Sequence, residues 1–245
     1  MIASAEIAPH LPLLRRYARA VTGSQNVGDV LVAATLEAVI AEPSVLEGNA
    51  SVRVNLHRLL VRIMPGRAAP LDRQAFLLQA LEGFSPEDTS YILEIDLARV
   101  AALVEQAGCD LVREPSAEVL IIHREPLIAY DLRSVVEELG HHVIGCAQTR
   151  AGAMKFADAP RLDLVMTNTI LPDGNGIEVA RDLLGVKPAA LVVVTAFVER
   201  FLTGERSEPA FLVAAPFQPS AISAIVSQAL FFARNPPVEL IPTRR

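Results

Sequence analysis

Near residue 118 the rhythm of apolar residues changes, and that change limits the possible folds more than any single motif. From Leu11 to Ala107 apolar side chains recur at intervals of three and four, in "LPLLRRYARAV", "DVLVAATLEAVI", "VRVNLHRLLVRI" and "RQAFLLQALEGF", with Gly, Pro, Ser or Asn between them. This is the period of an amphipathic helix, and about six helices are expected there. From Glu118 onward short β-branched runs, "EVLIIH", "HHVIGC", "DLVMTN", "ALVVVT" and "FLVAA", alternate with helix-length amphipathic segments. Five strands alternating with five helices build a parallel sheet covered on both faces. The expected architecture is an all-α domain over residues 1–110 and an α/β doubly wound, five-stranded parallel domain over 118–233. A short polar linker at 111–117 joins them, and a proline-rich tail occupies 234–245.

A chain of 245 residues suits two modest domains, and 51% apolar with 20% charged residues is the balance of a packed protein. The longest apolar runs fall far short of the roughly 20 residues that a membrane helix needs, and the N-terminus lacks the layout of a signal peptide. A cytoplasmic protein with no membrane partner is expected. Cys109 and Cys146 show no CxxC or CxxH spacing, so two reduced thiols are expected rather than a disulfide or a zinc site. A net charge of -6 argues against specific DNA binding, because phosphate contacts rest on clustered Lys and Arg. No Gly-rich phosphate loop or catalytic-triad order points to an enzyme or a bound cofactor.

In a doubly wound sheet ligands sit at the carboxyl ends of the strands. The residues there are His123, Arg124 and Glu125 after the first strand, Asn168 after the third, Thr195 after the fourth and Ala215 after the fifth. Over this half the chain resembles response-regulator receiver domains. Phosphorylatable receivers carry an acidic pair, an acceptor aspartate, a Thr or Ser and a Lys at these places. The resemblance puts His123 and Arg124 at the acidic pair, Asn168 at the phospho-acceptor, Thr195 at the retained hydroxyl and Ala215 at the lysine. The carboxamide of Asn168 is neutral and a poor nucleophile. Magnesium prefers charge-compensating carboxylates, and the neighbouring acid Glu125 stands outside the usual pair. The site is therefore expected to be degenerate, without metal, with Thr195 as scaffold. Arg124 either pairs with Glu125, bonds to Asn168, or points to water. Asp173, before Gly in "LPDGNG", is expected to serve a turn. His141 and His142 point to opposite faces of a strand start, which disfavours a shared metal.

The helical half has its own resemblance. "LEGFSPEDTSYILEID" is similar to the helix-turn-helix of extracytoplasmic-function sigma factors, with Ser85 as N-cap, Pro86 at the first helical position and Glu87 and Asp88 behind it. The helix that should read DNA, "LARVAALVEQ", offers one arginine, Arg99, balanced by Glu105. "LPLLRRYARAVTGSQNVGDVLVAATLEAVI" resembles the promoter-melting region of the same factors, yet Tyr17 is its single aromatic residue. Arg15, Arg16 and Arg19 form a basic cluster, expected as a solvated helix face. Leu13, Tyr17, Leu31, Phe76, Leu77 and Phe84 are expected as core or near-core.

A sigma-factor-like domain followed by a receiver resembles the PhyR-type regulators of the general stress response, also at "LTGERSEPAF" and "PFQPSAISAIVSQALFF". In that family phosphorylation of the receiver releases the sigma-like domain, which captures a NepR-type anti-sigma factor and frees the true sigma factor. The resemblance implies a partner-switching, anti-anti-sigma regulator that binds a NepR-type partner. The degenerate receiver makes it phosphorylation-independent. The bias of roughly 5.5 kcal/mol needed to move a two-state element from 1:99 to 99:1 must then come from elsewhere. The alternative is a sigma-like or DNA-binding transcription regulator with a pseudo-receiver. Oligomeric state stays open at this stage.

Overall fold

A computed structural model describes residues 4–48, 50–64 and 68–236. Its helical half comprises α1 (Ser4–Ile7), α2 (Leu11–Thr22), α3 (Gln25–Ala41), α4 (Val52–Ile63), α5 (Leu71–Ala80), α6 (Pro86–Leu93) and α7 (Leu97–Arg113). Six helices, α2 to α7, stand in the stretch where about six were expected, and the four-residue α1 precedes it. Several starts are written in the sequence as side-chain caps. Ser24, Ser51, Ser85 and Asp96 each accept a hydrogen bond from the N–H three residues on, satisfying a donor that the first helical turn leaves unpaired. Helix α6 ends with Glu94 in the left-handed conformation, φ 55°, which turns the chain sharply into α7. Tyr17, Leu31, Leu77 and Phe84 lie in the core, Phe76 is partly buried against it, and Leu14 rather than the half-buried Leu13 fills the centre.

The second half holds β1 (Glu118–Ile122), α8 (Pro126–Glu138), β2 (His142–Ala147), α9 (Arg150–Met154), β3 (Leu164–Asn168), a small hairpin of β4 (Ile170–Leu171) and β5 (Gly174–Asn175), α10 (Gly176–Val186), β6 (Ala190–Thr195), β7 (Phe211–Ala214) and α11 (Pro219–Arg234). The five main strands are parallel in the order β2-β1-β3-β6-β7. Alternation sorts their side chains: Val119 and Ile121 join the core under α8 and α11, while Leu120 and Ile122 join that under α9 and α10. Both sets are fully buried.

Two expectations need correction. Four α-helices accompany the five strands among the described residues, because the crossover from β6 to β7 contains only a 3-10 turn, Val198–Phe201, and then irregular chain to Ala210. Gly204 in the left-handed region, φ 78°, and Pro209 break any helix there. Helix α7 also runs to Arg113, inside the stretch read as linker, so the connection is residues 114–117. Residues 237–245 of the expected tail lie outside the described residues.

The two halves share one hydrophobic cluster, reaching from Leu14 to Phe232. Helix α11 makes this possible: its Ala221, Ile222, Ile225, Val226, Ala229 and Leu230 are all buried. One side packs on β6, β7 and α8, and the other on α5 and α2. A helix apolar around its circumference needs cover on every side. Gly23, the left-handed C-cap of α2 (φ 68°), lies tight against α11, since a Cβ there would fall 2.4 Å from the Phe232 ring.

Candidate functional site

At the strand ends His123 and Asn168 form a neutral pair. His123 follows β1, is 2% exposed, and places Nε2 3.0 Å from the side-chain amide nitrogen of Asn168 at the end of β3. Asn168 Oδ1 accepts from the Ile170 N–H at 2.8 Å. On the other side of the ring, His123 Nδ1 faces the Glu125 backbone, 3.0 Å from its nitrogen and 3.2 Å from its carbonyl oxygen. Burial holds the imidazole below its usual pKa and so keeps it neutral, against a small opposing pull from Glu125. Arg124 turns outward, bonding Glu125 Oε1 at 3.2 Å with both side chains about half exposed. It does not reach Asn168.

Thr195 is buried at the end of β6, where its Oγ1 accepts from the Phe197 N–H at 3.2 Å and lies 3.4 Å from Thr169 Oγ1. Ala215, after β7, gives its N–H to the Thr195 carbonyl at 2.9 Å and precedes a cis Pro216. Asp173 accepts from the N–H groups of Arg150 and Ala151, tying its turn to the start of α9. His142 pairs with Glu118 at the edge strand, while His141 is buried and accepts from the Ala117 N–H. The pocket therefore brings His123 and Asn168 together and leaves Arg124 and Glu125 outside it. A magnesium ion does not fit: the inward groups are a neutral imidazole and a carboxamide already bonded to each other. Among the described residues no three His, Cys, Asp or Glu are grouped to hold a metal.

The charge sits instead where the two halves meet. Arg16 and Arg19, expected in water, are 6% and 0% exposed. Arg16 makes a two-pronged pair with Glu82, 2.9 Å on each side, and bonds the Leu81 carbonyl. Arg19 takes Asp29 in the same manner (2.9 and 2.8 Å) and then crosses to the second half, reaching Glu208 at 2.9 Å and the Phe201 carbonyl at 3.0 Å. Gly28 lets α3 press this close, because a Cβ would meet the Arg19 backbone at 2.7 Å. Only the half-buried Arg15 resembles the expected solvated residue, and even it bonds the Leu202 carbonyl at 3.1 Å.

The receiving side is the irregular segment that replaces a helix. Burial would push the Glu208 carboxyl up, but bonds from Thr203, Gly204 and the Arg19 guanidinium outweigh it and hold it below the usual range. Gln25 closes the contact, accepting from the Glu208 N–H at 2.7 Å and donating to the Arg206 carbonyl at 2.7 Å. A second tie lies at the linker, where Arg73 bonds Glu114 (2.7 Å) and Ser227 (2.8 Å) and stacks over Phe231. Gln228 of α11 donates to the Ala20 carbonyl at 2.9 Å. Sequence reasoning missed Asp29, Glu82 and Glu208. The available signal was three arginines, Arg15, Arg16 and Arg19, among the apolar residues of α2, for which a buried pairing is the alternative to solvent.

Comparison with known proteins fits this two-part layout. The family description "Sigma2 domain of PhyR" matches residues 7–61, and "Response regulator PhyR, sigma-like domain" matches 66–114. The phyllosphere-induced regulator PhyR of Methylorubrum extorquens is 47% identical, with 94% of each chain covered. The chain belongs to the PhyR family. The crystal structure of PhyR from Brucella abortus superposes on this PhyR-family protein with a TM-score of 0.90 at 44% identity, covering 96% of both chains. The anti-anti-sigma factor PhyR of Bartonella quintana gives 0.90 at 42% identity, covering 95% of this chain and 97% of that one. Such agreement extends to both halves together, so the placement of the sheet against the helices is a property shared with these relatives. The exposed side of α7 carries Arg99 as the sole basic residue of its first ten, which leaves no electrostatic footprint for DNA on that helix. No described helix is long and apolar enough to cross a membrane.

Proposed function

We propose that this PhyR-family protein is a phosphorylation-independent anti-anti-sigma regulator of the general stress response. Its helical half captures a NepR-type anti-sigma factor in the cytoplasm, and its receiver-like half governs access. Asn168 stands at the phospho-acceptor position, His123 and Arg124 at the acidic pair, Ala215 at the lysine, and Thr195 is retained as scaffold. The observation that carries this reading is the contrast between the two polar clusters: the strand-end pocket is neutral and internally satisfied, while the charged Arg19–Glu208 contact between the halves is intact. Input chemistry has been lost and the docking contact kept.

The test is a calorimetric titration of the full chain with the NepR-type anti-sigma factor of its own source, with and without acetyl phosphate and magnesium. The expected result is binding whose affinity is unchanged by acetyl phosphate and strengthened by Glu208→Ala. Phosphoryl transfer to the protein with a tenfold gain in affinity would overturn the phosphorylation-independent part. Absence of binding in both forms, together with a promoter mobility shift, would overturn the entire reading in favour of a DNA-binding regulator.

A further inference from the structure

Residues 114–117 connect the halves, and they are tied down one by one. Glu114 Oε1 accepts from Arg73 of α5 at 2.7 Å and from Ser227 of α11 at 2.5 Å. Pro115 has no N–H and offers its carbonyl to Arg234 at 2.9 Å, while the Ser116 carbonyl takes Arg161 at 2.9 Å. Ala117 is fully buried with both backbone polar groups in use: its N–H donates to His141 Nδ1 at 3.3 Å, and its carbonyl accepts from the His142 N–H at 2.9 Å. Glu118, which opens β1, donates its N–H to Asp163 at 2.7 Å, and Asp163 pairs with Arg161 at 2.8 Å. A connection held in this way is a strut rather than a hinge.

One of these ties depends on a proton. Guanidinium donors and carbonyl acceptors are indifferent to mild acid, whereas an imidazole nitrogen accepts a hydrogen bond only while it is bare. Burial holds His141 below its ordinary value of 6.5 and so keeps it neutral near pH 7. Glu114 and Asp163 pull the ring toward protonation, and Arg234 pushes against it. At the end of α8, whose Val136 carbonyl accepts from the His141 N–H, stand the exposed Glu137, paired with Arg133, and Glu138. On β2 the neighbouring His142 pairs with Glu118. Glu114, Asp163 and Arg234 are themselves ties of the strut. A proton on Nδ1 therefore removes the acceptor of a buried N–H and also sets a cation among the remaining clamps, repelling Arg234 and drawing on both carboxylates. Glu114 has an oxygen to offer it, since its Oε2 is buried with no hydrogen-bond partner among the described residues.

We infer that His141 is an acid-sensitive latch on the connection between the halves: neutral, it clamps Ala117 and keeps residues 114–118 a strut, and protonated, it releases Ala117 and turns the strut into a hinge. The latch is whole above the ordinary value of 6.5 and is lost as pH falls from there through the lower folded value. The device does not depend on what the helical half captures, and it needs no phosphoryl group.

The experiment follows the full chain by amide hydrogen exchange, corrected for the intrinsic rate, and by the NMR shifts of its imidazoles, from about pH 7.5 to about pH 5. His141→Asn puts a carboxamide oxygen near the place of Nδ1 and can accept at every pH, whereas His141→Leu has no acceptor. In the unsubstituted protein the Ala117 and Glu118 amides are expected to exchange at least about tenfold faster at the acid end, with the midpoint of the His141 ring. His141→Asn should stay protected throughout, and His141→Leu should exchange fast throughout. The amide of Val193, buried at the centre of β6, should hold its protection in every sample, marking the change as local. Equal protection of Ala117 at both ends of the range overturns the latch. So does a His141→Asn protein that opens with acid as the unsubstituted one does, or a Val193 amide that loses protection in step. Should His141→Leu fail to fold, the unsubstituted protein and His141→Asn decide between them.

Discussion

The strand-end pocket and the joint between the halves are both polar clusters in which the receiver-like domain takes part, and they are built in opposite ways. At the pocket, His123 and Asn168 satisfy each other without charge, and the charged neighbours Arg124 and Glu125 face water. At the joint, Arg19 is wholly buried and bonds both Asp29 and Glu208. A buried charge is retained only where its partners are held in place, because losing one partner leaves the other desolvated and unpaired. The difference locates the specificity of the molecule. Its arrangement is determined by the contact between its halves, and the strand-end pocket is a finished piece of structure rather than a site awaiting an ion.

That contrast can be broken most forcefully at Arg19. Arg19→Met should strand both Asp29 and Glu208 and destabilise the closed protein by about 3–5 kcal/mol in urea unfolding. Next comes Gly23→Ala, which puts a Cβ into the Phe232 ring and strains a left-handed residue. It should cost about 1–3 kcal/mol and part the halves, read as faster proteolysis in residues 114–117. At the other pole, Asn168→Asp should change stability by no more than about 1 kcal/mol and still take up no phosphoryl group from acetyl phosphate by mass spectrometry, since no lysine or acidic pair accompanies it. A phosphorylated Asn168→Asp protein would show that the pocket had kept more of its chemistry than its geometry implies.

Acid sharpens the same comparison. His57, in the core of the helical half, is held down to about 4 by burial, with Glu82 pulling weakly the other way. A base whose pKa is lowered on folding loses stability as pH falls from its ordinary value of 6.5 toward about 4. Glu208 has the opposite chemistry and a later onset: its lowered pKa stabilises the protein above the ordinary value of 4.5 and fails only as pH drops through the lower folded value. Unfolding measured from pH 7 downward should therefore weaken first through the helical core and only later through the joint. His57→Phe should flatten the upper part of that curve and leave the lower part in place.

The switch from three-four to alternating periodicity made both halves legible, because each half builds its core from local pattern. Partnerships were not legible where they join distant residues. Glu82 lies 66 positions from Arg16, and Glu208 lies 189 from Arg19, so no window along the chain contains both members of either pair. The missing crossover helix was foreshadowed by Gly204 and Pro209, but the alternating βα rhythm on either side suggested regularity. In the pocket, residue types showed that the acids were gone. They did not show that His123 would point in and Arg124 out, which follows from the alternation of β1 carried one residue past its end.

Helix α11 belongs to two cores at once, and this decides the size of the cooperative unit. While its outer face lies on α2 and α5, neither half can melt without uncovering the apolar surface of the other. The closed chain should therefore unfold as one calorimetric transition. Once the halves separate, the same sequence becomes two units with separate melting temperatures and a larger heat capacity, from the newly wetted α11. The shape of a melting curve thus reports which arrangement the molecule is in, before any partner is identified.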